Sequence, residues 1–149
     1  MCLIVDANAA HKFLVQKSAI VAWLFGPKGN PKLCTGGLLT RELDRIGAVQ
    51  RILEELSRAG RLRTIPTAEI QKRERQIKSA RLHRSNDVHV LALAIASGAR
   101  TLATFDGALS ADFKNPRIIK NPRGRIYQRP DEHGHLLCHT PKSCGVRAK

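Results

Sequence analysis

The chain has few acidic residues and no long hydrophobic segment. Its 149 residues include 12 Asp and Glu against 26 Lys and Arg, which gives a formal net charge of +14 at pH 7. Because so much positive charge repels itself, this composition favours a polyanionic partner, and nucleic acid is the expected one. A membrane partner is not expected, because no apolar run is long enough to cross a bilayer and no strong amphipathic anchor is visible.

Several motifs that would indicate other functions are also missing. No G-x-G-x-x-G follows the first apolar segment and no G-x-x-x-x-G-K-S/T occurs, which argues against a Rossmann dinucleotide site and against a P-loop. The opening residues, MCLIVDANAA, are too short and too acidic for a signal peptide. The four cysteines do not make a secreted disulfide framework in a chain of this length, so we expect a cytoplasmic protein.

Short apolar runs and helical periodicity alternate along the chain, which is typical of an α/β protein with a parallel sheet. The apolar runs predict strands at 2–5, 32–35, 62–65 and 101–105, an edge strand at 118–119, and a weak hairpin of residues 126–127 with 136–137. A short acidic loop is expected after the fourth strand.

Helices are predicted where apolar residues recur at helical spacing, and Gly98 is expected to stop the last of them. They cover residues 9–25, 40–59 with an interruption near 47, 67–84, and 85 or 86 to 97. We therefore expect a three-layer α/β/α sandwich with a central parallel sheet over residues 1–119. A basic C-terminal extension over residues 120–149 is expected to follow it.

Four carboxylates fall at strand ends or in first helical turns of this prediction: Asp6, Glu42, Asp87 and Asp106. Each alone also fits a helix cap, a helix-dipole partner or a turn residue. Together they map to one edge of the sheet, where their mutual repulsion favours a bound divalent cation. Oxygen ligands of this kind suit Mg²⁺ or Mn²⁺, which would orient water and stabilise charge on a phosphate. Asp112 is a fifth candidate ligand.

The ordered segments LIVDANA, TREL, NDVHVLALA and TLATFD, followed by ADF, resemble the PIN domain, and most of all the VapC-type toxin ribonucleases. The resemblance covers roughly residues 2–119. It implies that Asp6, Glu42, Asp87 and Asp106 bind Mg²⁺ or Mn²⁺. The spacer between Asp106 and Asp112 is longer than is usual in the family, and we expect Asp106, which ends the strand, to lie closer to the metal.

The resemblance also assigns two supporting residues and a function. Asn8 matches a small polar residue that supports the first Asp, and Thr104 matches a hydroxyl residue two places before the fourth acid. The implied function is a metal-dependent endoribonuclease, the toxin of a toxin–antitoxin pair, with RNA as substrate, an antitoxin protein as partner and a homodimer as assembly. The alternatives are a non-catalytic nucleic-acid-binding protein, an RNA-processing nuclease and a DNA-cleaving PIN-type nuclease.

Two basic segments, 58–84 and 114–149, each hold nine Lys or Arg. A charge run is often only a solvated face, but the net charge favours phosphate contact. The expected contacts are Lys72, Arg73, Arg75, Lys78, Arg81, Arg84, Arg123 and Arg125. Aromatic residues make up only 4% of the chain, so base stacking has little support, and Tyr127 is the one candidate.

The tail sequence HGHLLCHTPKSC gathers side chains that could hold zinc: His133, His135, Cys138, His139 and Cys144. No paired C-x-x-C motif is present, so a disordered or surface tail is the preferred interpretation. A Cys–His nucleophilic dyad has no supporting context in the sequence.

Overall fold

The computed structural model of the protein describes residues 2–120 and 122–138, and it contains one sheet of five strands. The strands are β1 (Cys2–Val5), β2 (Lys32–Thr35), β3 (Leu62–Thr64), β4 (Thr101–Ala103) and β5 (Arg125–Tyr127). Their order across the sheet is β3-β2-β1-β4-β5, and every neighbouring pair is parallel. All four residues of β1 are fully buried, as expected for a central strand covered on both faces.

Nine helices and one π-helical segment, His11–Val15, occur in the described part of the chain. The helices are α1 (Ala7–Ala10), α2 (Ala19–Leu24), α3 (Gly37–Asp44), α4 (Gly47–Arg58), α5 (Thr67–Ala80), α6 (Val88–Ser97), α7 (Gly107–Lys114), α8 (Pro130–His133) and α9 (His135–Cys138). None of them has the length and apolar character needed to cross a membrane.

The strand order reverses at β1. The chain passes from β1 to β2 and β3 on one side, then crosses back to β4 and β5 on the other. Right-handed crossovers in opposite directions place helices on both faces of a sheet, so this topology is compatible with the predicted three-layer sandwich. The reversal also makes the carboxyl ends of β1 and β4 the place where open α/β sheets form their ligand crevice.

The sequence correctly predicted the first two strands to the residue. The predicted third and fourth strands are present but shorter, ending at Thr64 and Ala103. Gly98 ends α6 in the left-handed conformation, with φ of 79°, which only glycine adopts without strain.

The predicted helix over residues 9–25 is confirmed only in part, because the chain leaves helical geometry at Gln16, between the π-helical segment and α2. Ser18 then starts α2, and its hydroxyl accepts from the backbone N–H of Val21 (3.2 Å) and donates to the carbonyl of Phe13 (2.7 Å). The next helix begins at Gly37, before the predicted cap Thr40, whose hydroxyl instead bonds that of Thr35 (2.9 Å).

The predictions for residues 105–138 need three corrections. The segment after Asp106 is the helix α7 and not a loop, and Ile118–Ile119 lies in a turn and not in a strand. Ile126 and Tyr127 belong to β5, which pairs in parallel with β4, so there is no hairpin with residues 136–137 of α9. A two-residue apolar run does not specify its pairing partner, which is why the sequence did not assign this strand to the sheet. The fifth strand, β5, lies beyond residue 119.

Candidate functional site

Asp6 lies at the carboxyl end of β1, beside the end of β4. Its backbone N–H donates to the carbonyl of Ala103 (2.9 Å), and its side chain is only 4% exposed. The carboxylate accepts from the backbone N–H of Ala7 (2.9 Å) and from the hydroxyl of Thr104 (2.9 Å). Asp6 therefore caps α1, as one of its two interpretations required, and it lies where the neighbouring strands β1 and β4 end.

The pKa of the Asp6 carboxyl is raised above its ordinary value. Burial is the largest cause, and the nearby charges of Asp87 and Glu42 raise the pKa further. The hydrogen bonds from Thr104 and Ala7 oppose this rise because they stabilise the carboxylate. Three acids that are far apart in the sequence thus lie within electrostatic reach of one another.

Asn8 and Thr104 are linked to each other at this site. The side-chain oxygen of Asn8 accepts from the backbone N–H of Phe105 (3.1 Å) and lies 3.4 Å from the Thr104 hydroxyl. Of the two acceptors near that hydroxyl, the Asp6 carboxylate, at 2.9 Å, is the closer one. Asn8 therefore positions the chain after β4, and its connection to Asp6 runs through Thr104.

Glu42 is held by a histidine that the sequence analysis did not single out. His89 is the second residue of α6 and is 6% exposed, and its Nε2 lies 3.0 Å from Oε1 of Glu42. Because a carboxylate can only accept, Nε2 is the donor. A polar residue within the apolar run VHVLALA was the available signal, since buried polar groups need partners.

Asp87 occupies the cap position of α6, yet its side chain makes no capping hydrogen bond. Its backbone N–H donates instead to the hydroxyl of Ser85 (2.9 Å). No capping hydrogen bond therefore uses the Asp87 carboxylate, which is left available to a ligand, although its place at the helix start still suits the helix dipole.

Asp106 does act as a helix cap. Its Oδ1 accepts from the backbone N–H of Leu109 (3.0 Å), and its own N–H donates to the Thr104 hydroxyl (3.1 Å). One oxygen of this predicted metal ligand is thus committed to α7.

Asp112 is committed to the backbone with both oxygens. The side chain is 2% exposed, and it accepts from the N–H of Arg84 (3.0 and 2.9 Å) and of Ser85 (2.8 Å). These bonds tie α7 to the loop before α6, which gives Asp112 a structural role at the position where a fifth ligand was predicted.

No group of three or more His, Cys, Asp or Glu side chains in residues 2–120 and 122–138 is arranged to hold a metal ion. The carboxylates of Asp6, Asp87 and Glu42 are nonetheless mutually repelling oxygen donors, at least one of them buried. Their chemistry fits a hard divalent cation, although they do not form a closed ligand cage.

The predicted phosphate contacts divide between the two edges of the sheet. The second half of α5 borders a cleft of about 300 Å³ that Arg100 also lines, and Arg100 directly precedes β4. Arg123 and Arg125 lie before and at the start of β5. Arg123, Arg125 and the last turn of α5, which carries Lys78 and precedes Arg81, therefore lie at the amino edge, away from Asp6. Lys72, Arg73 and Arg75 lie earlier on α5, and Arg84 is close to Asp87 in the chain.

Tyr127 cannot stack on a base in this structure, because its side chain is fully buried. The ring packs edge-on against Phe13 (5.4 Å between centroids, 79° between planes), and burial raises the pKa of the phenol. The aromatic residue exposed beside the acids is Phe105, which the sequence analysis did not consider.

The zinc hypothesis involves residues of which only some are described. His133 uses Nδ1 to accept from the backbone N–H groups of Gln128 and Arg129, both at 3.1 Å. His139 and Cys144 lie outside the described residues, as does the side chain of Cys138.

No protein-family model matches this chain, and neither the curated proteins nor the solved structures compared with it give a match. A function is therefore inferred from the side chains at the carboxyl edge of the sheet.

Proposed function

We propose that the chain is a metal-dependent endoribonuclease in which Asp6, Glu42, Asp87 and Asp106 hold Mg²⁺ or Mn²⁺. The observation that carries this proposal is the buried Asp6 carboxyl at the strand-order reversal, whose pKa is raised partly by Asp87 and Glu42. A fold does not place two further acids near a buried carboxyl without a cost, and such groups concentrate at functional sites.

The neighbouring residues support each acid in a distinct way. Thr104 and the Ala7 N–H fix the Asp6 carboxylate, and His89 fixes Glu42. Asp87 presents a carboxylate that no helix cap consumes. A bound divalent cation would supply an activated water and stabilise charge on the scissile phosphate.

The resemblance to the PIN domain favours the same residues and adds the biological setting. It supports a VapC-type toxin that acts on RNA in the cytoplasm, pairs with an antitoxin protein and self-associates as a homodimer. The net charge of +14 supports a nucleic-acid substrate independently of the resemblance.

The decisive experiment compares Asp6→Asn with Asp44→Asn, which makes the same change at an exposed acid on α3. Matched RNA and DNA strands are incubated with each protein in Mn²⁺ and Mg²⁺, and Mn²⁺ binding is measured by calorimetry. We expect Asp6→Asn and EDTA to abolish cleavage, Asp6→Asn to weaken Mn²⁺ binding, and Asp44→Asn to behave as wild type. Undiminished cleavage by purified Asp6→Asn would refute the assignment.

A non-catalytic nucleic-acid-binding protein is the second candidate. It is favoured by the lack of a closed ligand group in the described residues and by the commitment of Asp106 to α7. It predicts salt-sensitive RNA binding without turnover in either metal, which the same assay detects.

A further inference from the structure

Phe105 is an exposed aromatic ring at the edge of the sheet where the acids lie. It follows Thr104 directly and precedes Asp106, and its backbone N–H is fixed by Asn8 (3.1 Å). Its side chain is 44% exposed, although Phe is a residue that folding normally buries. Single exposed hydrophobic side chains are common on protein surfaces, so the position of Phe105 between Thr104 and Asp106, and not its exposure alone, is what bears on function.

The ring is held in a fixed plane by the core behind it. Phe105 stacks on Phe13, with centroids 5.6 Å apart and planes inclined by 27°. Phe13 is itself fully buried and packs against the edge of Tyr127. This support means that Phe105 presents an already ordered surface, so a planar ligand would not have to immobilise it.

Lys12 places a positive charge beside this stack. Its Nζ is 5.5 Å from the centroid of Phe105 and 5.7 Å from that of Phe13. These distances nearly equal the 5.6 Å between the two rings, so the ammonium lies alongside the middle of the stack. It therefore does not cover the face of Phe105 that points away from Phe13.

An aromatic face with a cation beside it suits one nucleotide of a single strand, since the base can stack on the ring and the phosphate can pair with the ammonium. We propose that Phe105 and Lys12 form a base-stacking subsite that seats one unpaired nucleotide of an RNA next to Asp6. The inference rests on the proposed function for its choice of RNA as ligand. It restricts the substrate to unpaired regions, because the bases of a duplex are already stacked on one another.

Phe25 supplies a matched control. It is also an exposed phenylalanine, at 40%, but it lies between α2 and β2, before a strand that starts at the opposite edge of the sheet. Replacing Phe25 by leucine removes an equivalent ring without touching the proposed subsite. Leucine at either position keeps most of the apolar contact with the residues beneath.

The test measures binding of a fluorescent oligoadenylate RNA by anisotropy in EDTA, where metal-dependent cleavage is off. We expect Phe105→Leu to weaken binding about fivefold or more, the lower end of what one stacked base contributes, and Phe25→Leu to leave it unchanged. Phe105→Trp should bind at least as tightly as wild type because it restores a stacking ring. On an abasic strand with the same number of phosphates, Phe105→Leu should bind as wild type does.

Three results would overturn the subsite. The first is that Phe105→Leu binds oligoadenylate as tightly as wild type. The second is that Phe105→Leu loses as much affinity for the abasic strand as for oligoadenylate. The third is that Phe105→Trp fails to restore binding. The first is also what a protein-docking role for Phe105 would produce. Cleavage in Mn²⁺ is measured in parallel. If wild type cleaves RNA but Phe105→Leu binds it equally well, the subsite alone is refuted. If Phe105→Leu weakens binding but wild type does not cleave, the nuclease proposal alone is refuted.

Discussion

The contrast between Asp112 and Asp87 gives the sharpest prediction, because the structure gives these two acids opposite roles. Asp112 ties α7 to the loop before α6 through three hydrogen bonds to the backbone N–H groups of Arg84 and Ser85. Asp87 makes no capping bond to the helix it precedes. The changes Asp112→Asn and Asp87→Asn are chemically identical, so any difference between them reports the surroundings.

The expected cost of Asp112→Asn follows from its bonds. The substitution replaces one accepting oxygen with an NH₂ group that faces a backbone donor. A hydrogen bond to a charged acceptor contributes about 1.5–3 kcal/mol, and a buried N–H left without a partner costs about 1–3 kcal/mol. We expect a loss of about 2–4 kcal/mol in the free energy of unfolding, which lowers Tm by about 4–16 °C in a chain of this size. Asp87→Asn should change stability by less than about 0.5 kcal/mol.

Urea unfolding in EDTA, followed by the fluorescence of the single Trp23, measures both values under metal-free conditions. Cleavage is then measured at a temperature where all the variants are folded. We expect Asp87→Asn to lose cleavage while keeping its stability, and Asp112→Asn to lose stability while keeping cleavage. An Asp112→Asn protein that has wild-type stability but does not cleave RNA would show that Asp112 is a metal ligand. It would also show that its bonds to Arg84 and Ser85 contribute little to stability.

Two further predictions concern groups whose pKa is raised. For Asp6, the fold binds the proton more tightly than the unfolded chain does, so wild type should lose stability relative to Asp6→Asn as pH rises above about 4, the range where an unfolded Asp ionises. Urea midpoints of both proteins across pH in EDTA check this, and a difference independent of pH would contradict it. The buried hydroxyl of Tyr127 has no hydrogen-bond partner among the described residues. Tyr127→Phe should therefore raise the free energy of unfolding by about 1–3 kcal/mol and leave RNA binding unchanged. A loss of stability in this variant would show that the hydroxyl is paired.

Local signals predicted the parts of the fold that local physics decides. The apolar run 2–5 followed by Asp6, and the left-handed stop at Gly98, each carry their own structural signal. The break at Gln16 and the strand Arg125–Tyr127 carry no such signal in their own residues. The latter forms because β4 leaves an unpaired edge and because Gly124 lets the backbone pass close to Phe113, where a Cβ would overlap the Phe113 carbonyl oxygen.

The candidate site shows the same division. The sequence placed Asp6 at a strand end of a parallel sheet, whereas Thr104 was named only through the resemblance and its bond to Asp6 was not predicted. The His89–Glu42 contact and the exposure of Phe105 depend on how α3, α6 and the chain after β4 pack, and no spacing rule contains that information. The low aromatic content gave no indication that Phe105 would be exposed beside the acids, and base stacking at this ring stays a proposal.

The C-terminal part of the described chain belongs to the site as much as to the sheet. Gln128, directly after β5, donates from Nε2 to the carbonyl of Thr104 (2.9 Å), and Tyr127 supports Phe13 beneath Phe105. Thr104 in turn donates to Asp6. The carboxylate at the end of β1 is thus oriented by a chain of contacts that begins beyond residue 119. A boundary at that residue would separate β5 from the sheet it completes and Gln128 from the Thr104 that bonds Asp6.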